Sequence, residues 1–146
     1  MKKKIESVIE SRVKQNRLLP VQLEDHAKVR LWVDPASLDK KVKVSEQTHI
    51  LSPFDPLIIQ RKKLKMFFDY DHIFEAYVPA AKRKFGYFSL PVLSENRIIA
   101  LLDLKTDRHQ QKLLIQSWHW LNSEKTKYNK KLIEEKLENF EKFQLR

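Results

Sequence analysis

The chain has 146 residues, of which 42% are hydrophobic and 33% charged, as expected for a folded protein of one domain or two small ones. Its net charge of +10 favours an anionic partner such as nucleic acid. Without cysteine it has no disulfides or thiolate metal sites, and its single glycine, Gly86, excludes glycine-rich phosphate loops. No apolar run approaches the roughly 18 residues that span a bilayer, so no membrane partner is predicted.

The first forty residues predict a helix followed by a two-stranded hairpin. The helix covers residues 2–16, and its apolar residues repeat at helical spacing: Ile5, Val8, Ile9 and Val13. Alternating residues over 21–24 and 29–33 indicate two strands with a polar connection. Because a winged helix ends with a helix and a hairpin, this stretch is interpreted as a winged-helix remnant.

A lysine-rich polar stretch over residues 40–47 is the best linker candidate. We therefore predict two domains, residues 1–40 and 41–146. Just before the linker, Asp34 and Pro35 predict a short capped helix, because aspartate accepts free backbone N–H groups and proline fits the first helical position.

The second predicted domain combines two helices with a sheet, which makes the fold class α+β. Asp55 as N-cap and Pro56 at the first helical position should start a helix that runs to about Phe68. A C-terminal helix over 123–145, capped by Ser123, should pack on the sheet. A short strand at 48–51 is followed by four longer predicted strands: 72–78, 85–93, 97–106 and 112–120. Short connections predict an antiparallel meander, curled or closed into a small barrel, with Pro91 at an edge or a bulge.

No residue pattern indicates a metal, a cofactor or a catalytic group. The five histidines lack the helical partner spacing of a metal site. Asp103, Lys105 and Asp107 alternate along a predicted strand and so share one face. Buried carboxylates beside a lysine can be catalytic, but we expect structural ion pairing among them and with Arg108.

The strongest local candidate for binding is the basic segment Lys82, Arg83 and Lys84. It lies beside three aromatic residues: Tyr77, Phe85 and Tyr87. Cations next to rings suit nucleic acid, since charge binds the phosphates and rings can stack on bases. Arg61 and Lys62 add charge on the predicted helix. The alternative is a solvated loop over an ordinary aromatic strand.

Several segments, in order, resemble the C-terminal part of the YcaQ/AlkZ-like DNA glycosylases, which repair interstrand crosslinks. The segments are Ile50–Leu57, Gln60–Arg61, Phe68–Tyr70, Glu75–Arg83, Phe85–Leu93 and Asp103–Arg108. The resemblance implies winged helices followed by a small β-barrel, with duplex DNA as the partner. It implies that Asp55 and Pro56 start a helix and that Gly86 permits a bend or a close approach. Arg61, Lys82 and Arg83 then either contact DNA or tie the barrel to the winged helices.

The same resemblance places the family's catalytic Gln-x-Gln or Gln-x-Asp motif in a region that this sequence lacks. The tripeptide Gln22-Leu23-Glu24 imitates the motif on the predicted hairpin, and we interpret it as coincidence. We therefore expect a DNA-binding module that does not catalyse alone, cytoplasmic and associated with the nucleoid. The alternatives are one half of a split glycosylase, completed by an N-terminal chain encoded nearby, and a homodimeric interaction protein.

Overall fold

The computed structural model describes residues 2–40, 47–121 and 123–145. The chain divides into two compact units, residues 1–43 and 44–146. Residues 41–46 of the predicted linker, and the predicted boundary after residue 40, lie outside the described residues. Within the described ranges, no helix has the length and apolar character that crossing a membrane requires.

The first unit confirms the predicted helix and two-stranded hairpin, but the first strand lies at Leu19–Val21 and not at 21–24. Helix α1 covers Lys2–Lys14, and strands β1 (Leu19–Val21) and β2 (Leu31–Val33) pair antiparallel. Helix α2 (Pro35–Leu38) follows, and the Asp34 side chain accepts a 2.9 Å hydrogen bond from the backbone N–H of Ala36. The aspartate–proline pair thus starts this helix as the sequence indicates.

The second unit contains a four-stranded antiparallel sheet in chain order. Its strands are β3 (Thr48–Ile50), β4 (Ser89–Ser94), β5 (Arg97–Asp107) and β6 (Lys112–Trp120). The pairing register shifts in β4 and again in β5, and such bulges bend a sheet. Among the described strands β3 and β6 do not pair, so the sheet is open and curled rather than a closed barrel. The α+β prediction is confirmed.

Helix α5 (Lys127–Gln144) packs on one face of this sheet, as predicted. Its buried residues join sheet residues in one core: Val92, Ile99, Ala100, Leu102, Ile133 and Leu137. The helix begins four residues later than expected, because Thr126 rather than Ser123 caps it and accepts from the backbone N–H of Asn129 at 3.0 Å.

The predicted helix over 56–68 is interrupted at Gln60. Helix α3 covers Pro56–Ile59 and helix α4 covers Arg61–Phe68. Gln60 has φ −84° and ψ 64°, which is not helical, and its carbonyl accepts the N–H groups that open α4. Apolar periodicity continues across the break because each helix buries a residue, Ile58 in α3 and Leu64 in α4.

The strand predicted at 72–78 is wrong, and β4 begins at Ser89 rather than residue 85. Residues 71–88 instead form an irregular segment with turns and a short 3-10 helix at Ala80–Lys82. Pro91 lies inside β4, one residue beyond the last β3 partner, Val92. Its missing N–H therefore faces the point where β3 ends. The pairing register shifts nearby, between Val92 and Leu93, in line with the predicted edge or bulge at Pro91.

Candidate nucleic-acid interface

A buried glutamate organises the irregular segment between α4 and β4. The side chain of Glu75 is only 3% exposed, and its carboxylate accepts hydrogen bonds from three consecutive backbone N–H groups. These come from Lys84 at 2.8 Å, Phe85 at 2.7 Å and Gly86 at 3.3 Å. Burial alone would raise the pKa of Glu75, but the three donors outweigh it and hold the pKa below its ordinary value.

A second carboxylate, Asp103 in β5, continues the same arrangement. It accepts from the backbone N–H groups of Tyr87 at 2.7 Å and Phe88 at 3.4 Å. Five successive N–H groups, from 84 to 88, therefore bond to carboxylates and not to a neighbouring strand. Their hydrogen-bonding capacity is met without a ladder, which explains why the predicted strand does not form there.

Gly86 makes this approach possible. Its φ of +127° is a conformation that side chains rarely adopt. A Cβ placed on it would overlap the Asp103 carboxylate, lying 2.6 Å from its Cγ. The single glycine therefore serves both backbone conformation and contact with β5.

Alternation along β5 turns Asp103 away from Leu102, which faces α5, so the segment lies on the opposite face of the sheet. Two contacts with β6 support this placement. The Ser117 hydroxyl donates to the carbonyl of Phe85 at 2.7 Å, and the rings of Phe85 and His119 meet edge to face.

Arg83 is an anchor of the predicted basic segment. Its Nε donates to the carbonyl of Val78 at 2.8 Å, and its guanidinium carbon lies 4.8 Å from the centre of the Tyr87 ring. The side chains of Lys82 and Lys84 are exposed. The basic loop, which we define as residues 82–84, thus presents two exposed ammonium groups on a fixed backbone.

Aromatic side chains form a continuous surface beside this loop, which we call the ring cluster. Phe74 lies at its centre, with ring centroids 5.9 Å from Phe54, 5.9 Å from Tyr77 and 5.7 Å from Phe88. Tyr87 meets Phe88 at 4.8 Å. Most of the cluster faces solvent: Tyr77 is 91% exposed and Phe54 67%.

In the part of the chain that the structure describes, the two predicted cations on helix α4 make no cation–π contact with the aromatic rings beside the basic loop. Arg61 and Lys62 are both exposed in its first turn. The charge of Arg61 acts on His72, and no hydrogen bond or ion pair joins either cation to another residue of the described chain. The structure therefore joins Lys82, Arg83 and Lys84 to aromatic rings but leaves Arg61 and Lys62 as solvent-facing charges.

The expected ion pairing around Asp103 is not observed. Asp103, Lys105, Asp107 and Arg108 form no ion pair with one another in the part of the chain that the structure describes. Asp103 binds backbone N–H groups instead, and Asp107 accepts from the N–H groups of the turn that follows it. Lys105 and Arg108 are exposed.

His72, near the start of the irregular segment between α4 and β4, has a buried imidazole. It is 5% exposed, its Nδ1 lies 3.3 Å from the Tyr70 hydroxyl, and its Nε2 has no hydrogen-bond partner in the structure. Burial and then the charge of Arg61 lower the pKa of His72. Across the described ranges, no three histidine or carboxylate side chains are grouped closely enough to hold a metal ion.

We expect His72 to make the protein less stable in mild acid. Because its pKa is lower in the folded chain, stability is complete above the unfolded value of about 6.5 and falls as pH drops below it. Urea midpoints measured at about pH 7.5 and about pH 5.5 should differ less in His72→Leu than in the wild type. His109→Gln, in an exposed turn, is the control, and an unchanged difference in His72→Leu contradicts the assignment.

The first unit contains an open cleft of about 620 Å³ between α1 and the hairpin. Ile9, Val13 and Leu31 line it, and Glu6 and Gln22 lie at it as well. The Gln22 amide donates to the carbonyl of Ala27 at 2.9 Å, which ties it to the hairpin connection. The Gln22-Leu23-Glu24 tripeptide thus leads from β1 into the hairpin connection, with Glu24 exposed at the start of a 3-10 helix.

Sequence reasoning missed the residue on which the site depends. The sequence pattern assigns Glu75 to a strand. A single acidic residue gives no periodic signal that would mark it as a buried acceptor of backbone N–H groups. Phe54 and Phe74 were also missed, because they reach the ring cluster only through tertiary contacts. Glu75 lies nine to eleven positions before its donors, a spacing that belongs to neither helix nor strand.

Comparison with known proteins adds the family to this geometry. A family model described as DNA glycosylase AlkZ-like matches residues 1–143, nearly the whole chain. No solved structure matches the chain. The family match agrees with the segments that carried the sequence resemblance, and the chain belongs to the AlkZ-like DNA glycosylase family.

Proposed function

We propose that this chain is a DNA-binding part of a DNA-repair glycosylase and that its basic loop contacts the phosphates of duplex DNA. The observation that carries the proposal is the exposure of Lys82 and Lys84 on a backbone fixed by Glu75. Lysines on a fixed backbone lose less conformational entropy when they bind phosphates than lysines on a mobile backbone. The net charge of +10 and the family support DNA as the polyanion.

The proposal includes the winged-helix interpretation of the first unit. A helix followed by a two-stranded hairpin, as in α1, β1 and β2, has the form of a winged-helix end. The second unit then corresponds to the family's β lobe, and crosslinked or bulky alkylated bases are the class of lesion. Arg61 and Lys62 are secondary candidates for DNA contact.

We further propose that these residues do not release damaged bases alone. Glycosidic hydrolysis needs a carboxylate or amide that can position water at the nucleotide. Glu75 and Asp103 are the buried acids of the described chain, and backbone N–H groups already occupy both. Neither is available to activate a water molecule.

Binding should depend strongly on salt and on the basic loop. We expect fluorescence anisotropy with a short blunt duplex to show affinity falling steeply between about 50 and 200 mM salt. The double variant Lys82→Gln/Lys84→Gln should reduce the slope of log affinity against log salt by about 2, roughly one for each lost phosphate contact. Lys131→Gln/Lys142→Gln on α5 removes the same charge from the opposite face and should leave more of the slope intact.

Two results would contradict the proposal. One is an absence of duplex binding at low salt. The other is release of alkylated bases by the purified chain, measured as free base after incubation with alkylated duplex, which would show that a catalytic group is present.

A second candidate function is one half of a split glycosylase, and the first unit favours it. None of its described residues is buried, and Ile5 and Val8 on α1 are more than half exposed. Exposed apolar surface of this kind commonly marks a protein contact. Base release that appears only when the product of a neighbouring gene is added would favour this candidate, whereas self-association would favour a homodimer.

A further inference from the structure

We propose that the ring cluster receives an unpaired base, so that the chain prefers DNA with an unstacked nucleotide over continuous duplex. The proposal rests on the DNA-binding function above and names a feature of the DNA that the basic loop alone would not distinguish. Phosphate contacts are the same on any duplex, whereas a ring surface discriminates by offering a stacking partner.

The geometry provides the stacking surface. Tyr77 projects from the cluster with 91% of its surface exposed, and Phe54 flanks it across Phe74. The neighbours meet edge to face, so they support one another without covering each other's faces completely. Isolated apolar residues on a surface are ordinary, but a connected group of this size beside cations needs a partner.

The cluster is also held in place before any ligand binds. The carboxylates of Glu75 and Asp103 fix the backbone of residues 84–88, which carries Tyr87 and Phe88. The Val78 N–H bonds to the Glu75 carbonyl at 2.9 Å, and Arg83 bonds to the Val78 carbonyl, so the turn that carries Tyr77 is closed as well. A rigid platform loses little entropy when a base stacks on it.

Charge favours a nucleotide over an apolar peptide as the occupant. Lys82 and Lys84 are exposed next to the rings, and Arg83 lies over Tyr87. The nearby acids have their oxygens occupied by internal hydrogen bonds: Glu75 and Asp103 accept from backbone N–H groups, and Asp55 caps α3. A base stacked on the rings would thus place its phosphates beside cations and away from free carboxylates.

The test compares three DNA ligands of the same sequence by anisotropy: a blunt duplex, that duplex with one unpaired nucleotide, and the single strand. We expect the wild-type chain to bind the two unpaired ligands about fivefold or more tightly than the blunt duplex. Tyr77→Leu should bring this ratio close to one, while Tyr77→Trp should keep or increase it. Phe143→Leu, which removes another exposed ring, on α5, should keep the wild-type ratio.

The outcomes separate the two proposals. No binding to any ligand at low salt overturns the DNA-binding function itself. Duplex binding with a ratio near one, or a ratio that Tyr77→Leu retains, overturns only the stacking proposal. Concentration-dependent dimerisation that Tyr77→Leu keeps and Tyr77→Lys abolishes would identify the cluster as a protein contact and also overturn it.

Discussion

Replacement of Glu75 with glutamine should lower the free energy of unfolding by about 3 kcal/mol or more. The carboxylate accepts from Lys84, Phe85 and Gly86 in an almost fully buried position. An amide offers one acceptor oxygen, which cannot serve three donors as well as two carboxylate oxygens do. Its NH₂ group would replace the Oε1 that accepts from Lys84, so at least one part-buried donor loses a good partner. Each unsatisfied donor costs about 1–3 kcal/mol, and the loss of charge weakens the remaining bonds.

Urea denaturation of Glu75→Gln measures this effect, and Glu138→Gln, an exposed glutamate of α5, is the matched control. The pH dependence gives an independent check. Since the pKa of Glu75 is lower in the folded chain, its contribution is present above the unfolded value of 4.5 and lost as pH falls through the folded pKa. The variant should lack this acid loss. Equal stability of Glu75→Gln and Glu138→Gln would contradict the bonding described here.

The second large effect is expected at Gly86. Substitution with alanine should destabilise the fold by about 3 kcal/mol, from a strained positive φ together with overlap between the new Cβ and the Asp103 carboxylate. Rotation of the Asp103 side chain cannot remove the overlap, because its Cγ and Cβ also lie within 2.7 Å of the added atom. The segment must move, and the Tyr87 and Phe88 N–H groups would lose their acceptor.

A double-mutant cycle tests this explanation. Asp103→Ala removes Oδ2 and Cγ, two of the three Asp103 atoms that the added Cβ would overlap, so Gly86→Ala should cost less in that background than in the wild type. Lys82→Ala, at an exposed position of the same segment, should change the unfolding free energy by less than about 0.5 kcal/mol. Additive costs in the cycle would show that contact with the Asp103 carboxylate does not contribute to the effect.

The two substitutions also connect fold to function. Both loosen the backbone under the basic loop and the ring cluster without removing a cation or an exposed ring. Weaker DNA binding in these variants, measured below their unfolding temperature, would indicate that a fixed surface matters as well as its charge. Unchanged affinity would indicate that the cations act alone.

Local sequence patterns determine several elements of this structure. Polar turns at 94–96 and 107–110 delimit β5 and β6, helical spacing places α1 and α5, and the pairs Asp34–Pro35 and Asp55–Pro56 start α2 and α3. The signals are local because each element satisfies its own backbone or buries one regular face. The basic loop was also locatable, since its three cations are consecutive in the sequence.

The form of residues 71–88 was decided by tertiary structure alone. Their apolar and aromatic residues suit strands, but Glu75 and Asp103 take the N–H groups that a strand would have used. These bonds join residues nine to sixteen positions apart, where no repeating pattern exists. The ring cluster depends on the same fold, since Phe54 reaches it from before α3 and Phe88 from the edge of β4. Local sequence patterns therefore determined the regular elements and the charge. The positions of the basic loop and the ring cluster depend instead on the tertiary hydrogen bonds between two buried carboxylates and the backbone N–H groups of residues 84–88.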